Sequence, residues 1–190
     1  MVAARAAFRE TAAALRPEDL VFVDESGIAT NLVRRYGRAA KGERAVGQAP
    51  YGRWEQLTIF GGLSLALGLG ACMSVEGAAD TLAVAAFVEH VLLPTLRPGQ
   101  VVLMDNLSPH KAARVRELIE AAGCRLLLLP PYSPDFNPIE QAWSKLKTLL
   151  RGAGARTRAA LEAALSHVLD AITAADAQSW FAHCGYARSN

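Results

Sequence analysis

Two acids follow short apolar runs of the kind that form buried strands. Asp24 ends the run LVFVD at 20–24, and Asp105 ends the run VVLMD at 101–105. Ligands of open α/β sheets bind beyond the carboxyl ends of strands, so adjacent parallel strands would bring these two carboxylates together. Close like charges repel unless a cation neutralises them, and carboxylate oxygens without His or Cys partners favour Mg²⁺ or Mn²⁺ over Zn²⁺. One such Asp is ordinarily a cap of the next turn, whereas for two on matching strands a metal site and a pair of caps are both open interpretations.

A third carboxylate is needed to hold two metal ions, and Glu140 is the candidate. It lies in the first turn of a predicted helix, with Asn137 as its N-cap and Pro138 at its first position. The same spacing also fits a capping box between Asn137 and Glu140, so spacing alone leaves both roles open. The rival third ligands are Glu25, Glu43 and Asp135.

Alternating strands and helices must position these acids. The predicted helices cover residues 3–16, 81–96, 109–122, 138–150, 157–172 and 174–183, and the predicted strands cover 20–24, 56–66, 71–76, 101–105 and 124–130. The second half alternates strand with helix, which implies parallel pairing, whereas the hairpin around Gly68–Gly70 is antiparallel. We therefore expect an α/β fold with a mixed sheet flanked by helices.

Composition excludes several other classes of protein. The chain has 190 residues, 52% of them apolar, and a net charge of +2, which together predict one ordinary globular domain. Its three cysteines are far apart in sequence, which argues against a disulfide framework and for a reducing compartment. The uncharged run at 56–75 is long enough to span a membrane, but its four glycines favour a hairpin, so we expect no membrane segment. Arginine makes up 16 of the 20 basic residues, which mildly favours a phosphate-bearing partner but is better explained by a GC-rich coding bias.

Four sequence motifs together resemble one known family. They are VDESG at 23–27, YGRAAKGER at 36–44, MDNLSPH at 104–110 and LPPYSPDFNPIEQAWSKLK at 129–147. This set is similar to the catalytic domain of DDE-superfamily transposases, in particular bacterial insertion-sequence transposases related to the mariner elements. Asp105 and Glu140 are separated by 34 residues, the spacing that marks this branch. The resemblance runs from about residue 20 to residue 187.

This resemblance implies an RNase H-like fold in which Asp24, Asp105 and Glu140 bind two Mg²⁺ or Mn²⁺ ions. The implied activity is cleavage of DNA strands and strand transfer by two-metal phosphoryl transfer. The implied partners are the terminal inverted repeats of an element and its target DNA, and handling two ends together would suit a homodimer. On this hypothesis Asp105→Ala should abolish cleavage and leave the metal-free fold at least as stable, because one repelling charge is lost.

Residues around the acids have two interpretations each. Asn106 and His110 could orient a ligand or contact a phosphate, and His110 could instead cap the helix at 109–122. Asn137 lies in a loop with four prolines that would hold Glu140 in a fixed position. Two basic stretches, 31–54 and 145–158, each carry a net charge of +5 and could bind DNA or be solvated surfaces. The candidate DNA-binding residues are Arg34, Arg35, Arg38, Arg44, Lys145, Lys147 and Arg151.

The chain departs from the family at its N-terminus. Full-length relatives carry a helix-turn-helix region that recognises the element ends, whereas only one helix precedes Asp24 here. We therefore expect a linker helix at 1–17 and a catalytic domain at 18–190. A truncated copy, the second frame of a split gene and an excised domain all fit, and a separate helix-turn-helix polypeptide could supply end recognition. The expected location is cytoplasmic, at the nucleoid.

Two other functions share these features. The first is a catalytically idle transposase remnant that binds DNA or partner subunits, which would not need the three acids. The second is another RNase H-like nuclease, which the 34-residue spacing and the proline-rich motif disfavour. Strand transfer into a target would separate a transposase from a simple nuclease.

Overall fold

A single five-stranded sheet forms the centre of the protein. The structure, a computed structural model, describes residues 2–34 and 36–186. The strands are β1 Leu20–Ala29, β2 Gln56–Ser64, β3 Gly68–Glu76, β4 Val101–Met104 and β5 Arg125–Leu128. They lie in the order β3-β2-β1-β4-β5. The pairs β1/β2 and β2/β3 are antiparallel, and β1/β4 and β4/β5 are parallel, so the predicted mixed sheet is confirmed.

In the part of the chain that the structure describes, six α-helices flank the sheet. They are α1 Val2–Ala13, α2 Thr81–Phe87, α3 Ala113–Ala121, α4 Ile139–Ala153, α5 Arg158–Leu169 and α6 Ala174–His183. The sequence pattern predicts one continuous helix at 81–96. The structure instead has three helical segments there: α2, a π-helical turn Val88–Leu92 and a 3₁₀ turn Leu93–Thr95. Pro94 lacks an amide hydrogen, which prevents a regular helical ending there. The helix predicted at 109–122 is divided into a 3₁₀ turn, Pro109–Lys111, and α3.

Alternate residues of the central strands pack into two separate hydrophobic layers. Leu20 and Phe22 of β1 belong to the layer that includes α1, α4, α5 and α6. Val21 and Val23 belong to the opposite layer, with the helical segment 81–95 and α3. This period of two is the signature of a strand buried on both faces, and it decides which layer each following side chain meets.

The predicted end of the first strand at Asp24 is wrong. β1 pairs with β4 only from Leu20 to Val23, but it continues to pair with β2 as far as Ala29. Asp24 therefore lies within β1, at the first position beyond its parallel neighbour. Asp105 directly follows β4, as predicted. Both acids thus lie just beyond the carboxyl end of the β1/β4 pair.

The uncharged run at 56–75 forms the β2–β3 hairpin. The connecting residues are 65–67, so the turn precedes the predicted Gly68–Gly70, and Gly68 begins β3 with a left-handed φ of 62°. Among the described residues, no helix combines the length and apolar character needed to cross a membrane.

Residues 31–54 form an irregular connection between β1 and β2. Its two ends are joined, because the Thr30 amide donates to the Glu55 carbonyl at 3.0 Å and the Glu55 amide donates to Thr30 Oγ1 at 3.1 Å. Arg156 Nη1 donates to the carbonyl oxygens of Thr30 and Leu32 at 3.2 and 3.0 Å. Between these anchors most side chains are exposed, including four large apolar ones: Tyr36, Val46, Tyr51 and Trp54.

Trp143 attaches α4 to the sheet beside the first acid. Gly61 of β2 is the register partner of Asp24, and a Cβ added at Gly61 would lie 2.5 Å from Trp143 Cη2. The indole is 2% exposed, so it has no free space into which it could move. The absence of a side chain at Gly61 therefore allows the close approach of α4 to β2.

Gly61→Ala is expected to destabilise the protein by about 1–3 kcal/mol, because a methyl group would overlap the buried Trp143 ring. Gly27→Ala on β1 is the matched control, since a Cβ there meets only the end of the Gln56 side chain at 3.1 Å. Urea denaturation measures both variants. Equal stability of Gly61→Ala and wild type would contradict this account of the packing.

Candidate active site

Asp24, Asp105 and Glu140 line one cleft of about 490 Å³. β1 supplies the first acid, the residue after β4 supplies the second, and the first turn of α4 supplies the third. The far wall is the segment at residues 130–138, named here the proline loop, and it leads directly into α4. The fold therefore brings three acids that are distant in sequence to one opening.

Asp24 is held from the α4 side of the sheet. Its carboxylate is 8% exposed; Oδ1 accepts from the Glu25 amide at 2.9 Å and Oδ2 accepts from Asn137 Nδ2 at 3.2 Å. Asn137 is therefore not the helix cap that the sequence predicts: the N-cap of α4 is Pro138, without a side-chain hydrogen bond. The predicted capping box with Glu140 is accordingly absent, and the Glu140 side chain is exposed.

Asp105 is held from the opposite layer by a buried histidine. His110 is 1% exposed; its Nδ1 lies 2.5 Å from Asp105 Oδ1, which also accepts from the Leu107 amide at 3.0 Å. His110 Nε2 lies 3.0 Å from Glu25 Oε2, an ion-pair contact. Neighbouring residues of β1 point to opposite faces, so Asp24 meets Asn137 and Glu25 meets His110. The cap of α3 is Ala112, so His110 has no capping role.

The two aspartates have opposite electrostatic environments. Burial, together with the charges of Glu140, Glu25 and Asp105, raises the pKa of Asp24 from 3.8 to about 7. Burial also acts to raise the pKa of Asp105, but the hydrogen bonds from His110 and Leu107 outweigh it and hold that pKa below the usual value. Burial is likewise outweighed at His110, where the two carboxylates raise the pKa to about 10 and keep the ring protonated. Asp24 is thus the acid whose charge is costly without a cation.

The three acids share a cleft but do not yet form a coordination shell. Within residues 2–34 and 36–186, no three His, Cys, Asp or Glu side chains are placed so that they could hold one ion together. Asp105 is engaged by His110, and Asp24 is engaged by Asn137.

Other predicted polar residues occupy different positions. Asn106 lines the cleft beside Asp105 and is half-buried. Among the rival third ligands, Glu25 lies against His110, Asp135 is paired with Arg5, and Glu43 is exposed in the irregular connection. None of these three rivals lines the cleft that contains Asp24.

The predicted DNA-binding residues separate into three groups. Arg34, Arg38 and Arg44 are exposed on the β1–β2 connection, whereas Arg35 lies outside the described residues. Lys147 and Arg151 are half-buried on α4. Lys145 is paired with Asp176 at 2.7 Å, which occupies its ammonium group.

The two basic stretches meet at the C-terminal end of α4. A Cβ added at Gly152 would lie 3.6 Å from Arg34 Nη2, which places that guanidinium beside the residue following Arg151. Both stretches therefore contribute positive charge to one end of α4.

Several residues that contribute to the site escaped the sequence analysis. Lys111 lines the cleft, and its charge helps to lower the pKa of Asp105. Tyr132 lines the cleft as well, 87% exposed, with a left-handed φ of 53° that is uncommon outside glycine. The pairing of Glu25 with His110 had no local signal, because 85 positions separate the two residues.

A mixed five-stranded sheet in the order β3-β2-β1-β4-β5, flanked by helices, is an RNase H-like fold. The profile described as DDE superfamily endonuclease matches residues 19–162. The chain belongs to this family.

Comparisons with individual proteins agree with this assignment. The Tc1 transposase of Caenorhabditis elegans is 35% identical over 72 residues, which is 34% of this chain and 26% of that protein. The Mos1 transposase strand transfer complex matches with a TM-score of 0.65 at 19% identity, over 87% of this chain and 51% of that one. The isolated catalytic domain of Mos1 mariner transposase matches with a TM-score of 0.60 at 14% identity, over 87% of this chain and 76% of that one. The chain thus spans about a quarter of the curated relative and about half of the longer Mos1 chain.

Proposed function

We propose that this protein is a transposase catalytic domain that cleaves DNA strands and joins the freed end to a target, with two Mg²⁺ or Mn²⁺ ions. The observation that carries the proposal is the single cleft lined by Asp24, Asp105 and Glu140. Membership of the DDE superfamily endonucleases supports the same chemistry. The structures with similar folds include a Mos1 strand transfer complex and a paired-end complex with Mn, which supports DNA and a divalent ion as the partners.

The donor set of the cleft fits hard divalent cations. Asp24, Asp105 and Glu140 offer only carboxylate oxygens, the ligands that Mg²⁺ and Mn²⁺ prefer. The raised pKa of Asp24 marks uncompensated negative charge, which a cation would neutralise. Bound there, such ions would polarise the scissile phosphate and activate the attacking oxygen.

The proposed reaction has two phosphoryl-transfer steps, in which side chains of this protein orient the acids and contact the substrate. In our proposal a water oxygen bonds to phosphorus as the bond to the leaving 3′-oxygen breaks, which leaves a 3′-hydroxyl and a 5′-phosphate. That hydroxyl then attacks a phosphorus of the target and displaces another 3′-oxygen. His110 and Asn137 orient the Asp105 and Asp24 carboxylates, and Lys111 is placed to contact a phosphate at the cleft. Asn106, which lines the same cleft, is proposed to contact substrate.

DNA beyond the cleft would follow the basic residues at the end of α4. We propose that Arg34, Arg38, Arg44, Lys147 and Arg151 contact phosphates, with Arg35 a prediction outside the described residues. Lys145, which is paired with Asp176 at 2.7 Å, stays a prediction beside this set. Two copies acting on two element ends, a separate helix-turn-helix polypeptide and location at the nucleoid remain parts of the proposal.

Nicking of supercoiled plasmid in Mn²⁺ tests the reaction. We expect wild type to nick and Glu140→Gln to be inactive, because that change removes a carboxylate from the cleft. Glu117→Gln, at an exposed position of α3, is the matched control and should retain full activity. Joining of a 3′-hydroxyl oligonucleotide to a second duplex separates a transposase from a simple nuclease. Equal nicking by wild type and Glu140→Gln would exclude the proposed site.

Divalent ions should also stabilise the folded protein. At a free concentration about ten times Kd, ligand linkage adds about 1.4 kcal/mol, which is roughly 3–6 °C for a domain of this size. Thermal melting with millimolar Mg²⁺ or Mn²⁺ measures the gain, and excess EDTA should reverse it. Glu140→Gln should show a smaller gain. The hypothesis is falsified if these ions change neither melting nor cleavage.

A further inference from the structure

Arg5 of helix α1 forms hydrogen bonds to two residues of the proline loop. Arg5 Nη1 donates to Ser133 Oγ at 2.8 Å and to Asp135 Oδ1 at 2.9 Å, and Nη2 donates to Asp135 Oδ2 at 2.6 Å. The two parallel hydrogen bonds from the planar Arg5 guanidinium to the Asp135 carboxylate are called the fork here. Such a fork fixes the orientation of the two groups as well as their distance. Ser133 is buried, and its Oγ also donates to the Pro131 carbonyl at 3.2 Å. One arginine therefore fixes the middle of the loop.

Aromatic contacts hold the same stretch from two sides. Phe8 of α1 stacks on Phe136 with centroids 5.2 Å apart, and both rings are buried. Arg5 and Arg9 lie 4.4 and 5.1 Å from the centroid of the Phe136 ring. Tyr186 Oη donates to the Phe136 carbonyl at 2.7 Å. α1 is thus packed on the catalytic core at the residue between Asp135 and Asn137.

The proline loop, which Arg5 holds, is connected to Asp24 and to Glu140 through Asn137. Asn137 donates to Asp24 at 3.2 Å, and the Glu140 amide donates to the Asn137 carbonyl at 3.1 Å. Within residues 2–34 and 36–186, the structure gives the Glu140 carboxylate no hydrogen bond or ion pair. The position of Glu140 therefore depends on the main chain that Arg5 holds.

We propose that Arg5 is a positioning residue, which acts through Ser133 and Asp135 to place Asn137 and Glu140 for cation binding. This inference rests on the proposed function, because it assigns Arg5 a task in the same cleft. Loss of the fork frees the proline loop, lets Asn137 leave Asp24 and moves Glu140 away from the other acids. Arg5 is not among the residues that line the cleft, and it reaches the cleft wall only through Ser133.

The test compares Arg5→Ala with Arg9→Ala, a control on the same helix that touches the same ring but makes no fork. Mn²⁺ affinity is measured on the folded proteins by calorimetry, and single-turnover cleavage is measured in parallel. Arg5→Ala should weaken Mn²⁺ binding and slow cleavage by about ten- to a hundredfold, as loss of a residue supporting metal ligands does. Arg9→Ala should bind Mn²⁺ as wild type does.

The exchanged pair Arg5→Asp with Asp135→Arg separates positioning from general stability. It restores a salt bridge between the same two positions, so Mn²⁺ affinity should return towards wild type while Arg5→Asp alone stays weak. Should Arg5→Ala fail to fold, Arg5→Lys keeps the charge without the fork and should show an intermediate affinity. Wild-type affinity in Arg5→Ala or Arg5→Lys, or no recovery in the exchanged pair, overturns this inference alone. A wild type that neither binds Mn²⁺ nor cleaves overturns the proposed function and this inference together.

Discussion

Asp24→Asn should abolish metal-dependent cleavage while making the metal-free protein more stable. A carboxylate that contributes about 4 kcal/mol to the transition state through a metal corresponds to about a thousandfold in rate. In the absence of metal, the charge of Asp24 is opposed by burial and by Glu140, Glu25 and Asp105. Removing that charge at pH 8 should stabilise the fold by about 2–4 kcal/mol.

The raised pKa of Asp24 also predicts how the free energy of unfolding depends on pH. Folding raises the pKa of Asp24 from 3.8 to about 7, so the native state binds more protons than the unfolded chain between these values. Stability in EDTA should therefore fall as pH rises from about 4 to about 7, and Asp24→Asn should remove that part of the slope. Urea unfolding at several pH values measures it, with Asp170→Asn, an exposed position, as control. A less stable Asp24→Asn at pH 8 would show that the carboxylate is structural.

His110→Ala should be the most destabilising change at the site. The ring bridges Asp105 and Glu25 while 1% exposed, and its loss leaves two acids facing each other without a cation. Breaking a buried ion pair costs about 3–5 kcal/mol, and the partial exposure of Asp105 reduces our expectation to about 2–4 kcal/mol. Cleavage should also slow by about ten- to a hundredfold, because Asp105 loses the group that orients it.

This stabilisation should disappear at high pH. Folding raises the pKa of His110 from 6.5 to about 10, so its contribution is fully present below 6.5 and is lost as pH rises through 10. The stability difference between wild type and His110→Ala should therefore shrink from pH 6 to pH 10. His167→Ala, at an exposed histidine of α5, is the control and should show no such trend. A constant difference across this range would contradict a protonated His110.

The same contacts revise the expectation for Asp105→Ala. Repulsion alone predicts that removing Asp105 leaves the fold at least as stable. In the structure the low pKa of Asp105 reflects its bond to His110, so its removal leaves a buried imidazolium facing only Glu25. The stabilising substitution is therefore expected at Asp24, and Asp105→Ala is expected to destabilise.

Sequence patterns correctly predicted the strands and helices that are determined by residues close together in the sequence. The apolar runs at 101–104 and 125–128 form strands, and the helices predicted at 157–172 and 174–183 form α5 and α6. Thr157 caps α5, and Thr173 and Asp176 form a capping box at the start of α6. Each of these features depends on residues within a few positions of one another.

The errors arise where a distant segment decides the structure. Residues 24–27 are polar or small and resemble a strand end, but pairing with β2 continues the strand to Ala29. Asn137 has the spacing of a cap, yet its amide bonds to Asp24, which is 113 positions away. The pairing of Lys145 with Asp176 of another helix likewise had no local signal, and its contact with DNA stays a prediction. Motif resemblance identified the acids of the cleft, whereas their supporting contacts required the fold.

The hydrogen bonds that join the ends of the β1–β2 connection affect how its length can vary between related sequences. Because Thr30 and Glu55 are bonded to each other, insertions between them leave every strand register intact. Doubling the length of such a loop costs only about 0.6 kcal/mol in closure entropy. The length of this connection, with its exposed arginine and aromatic side chains, could therefore vary between related sequences without moving the acids that line the cleft.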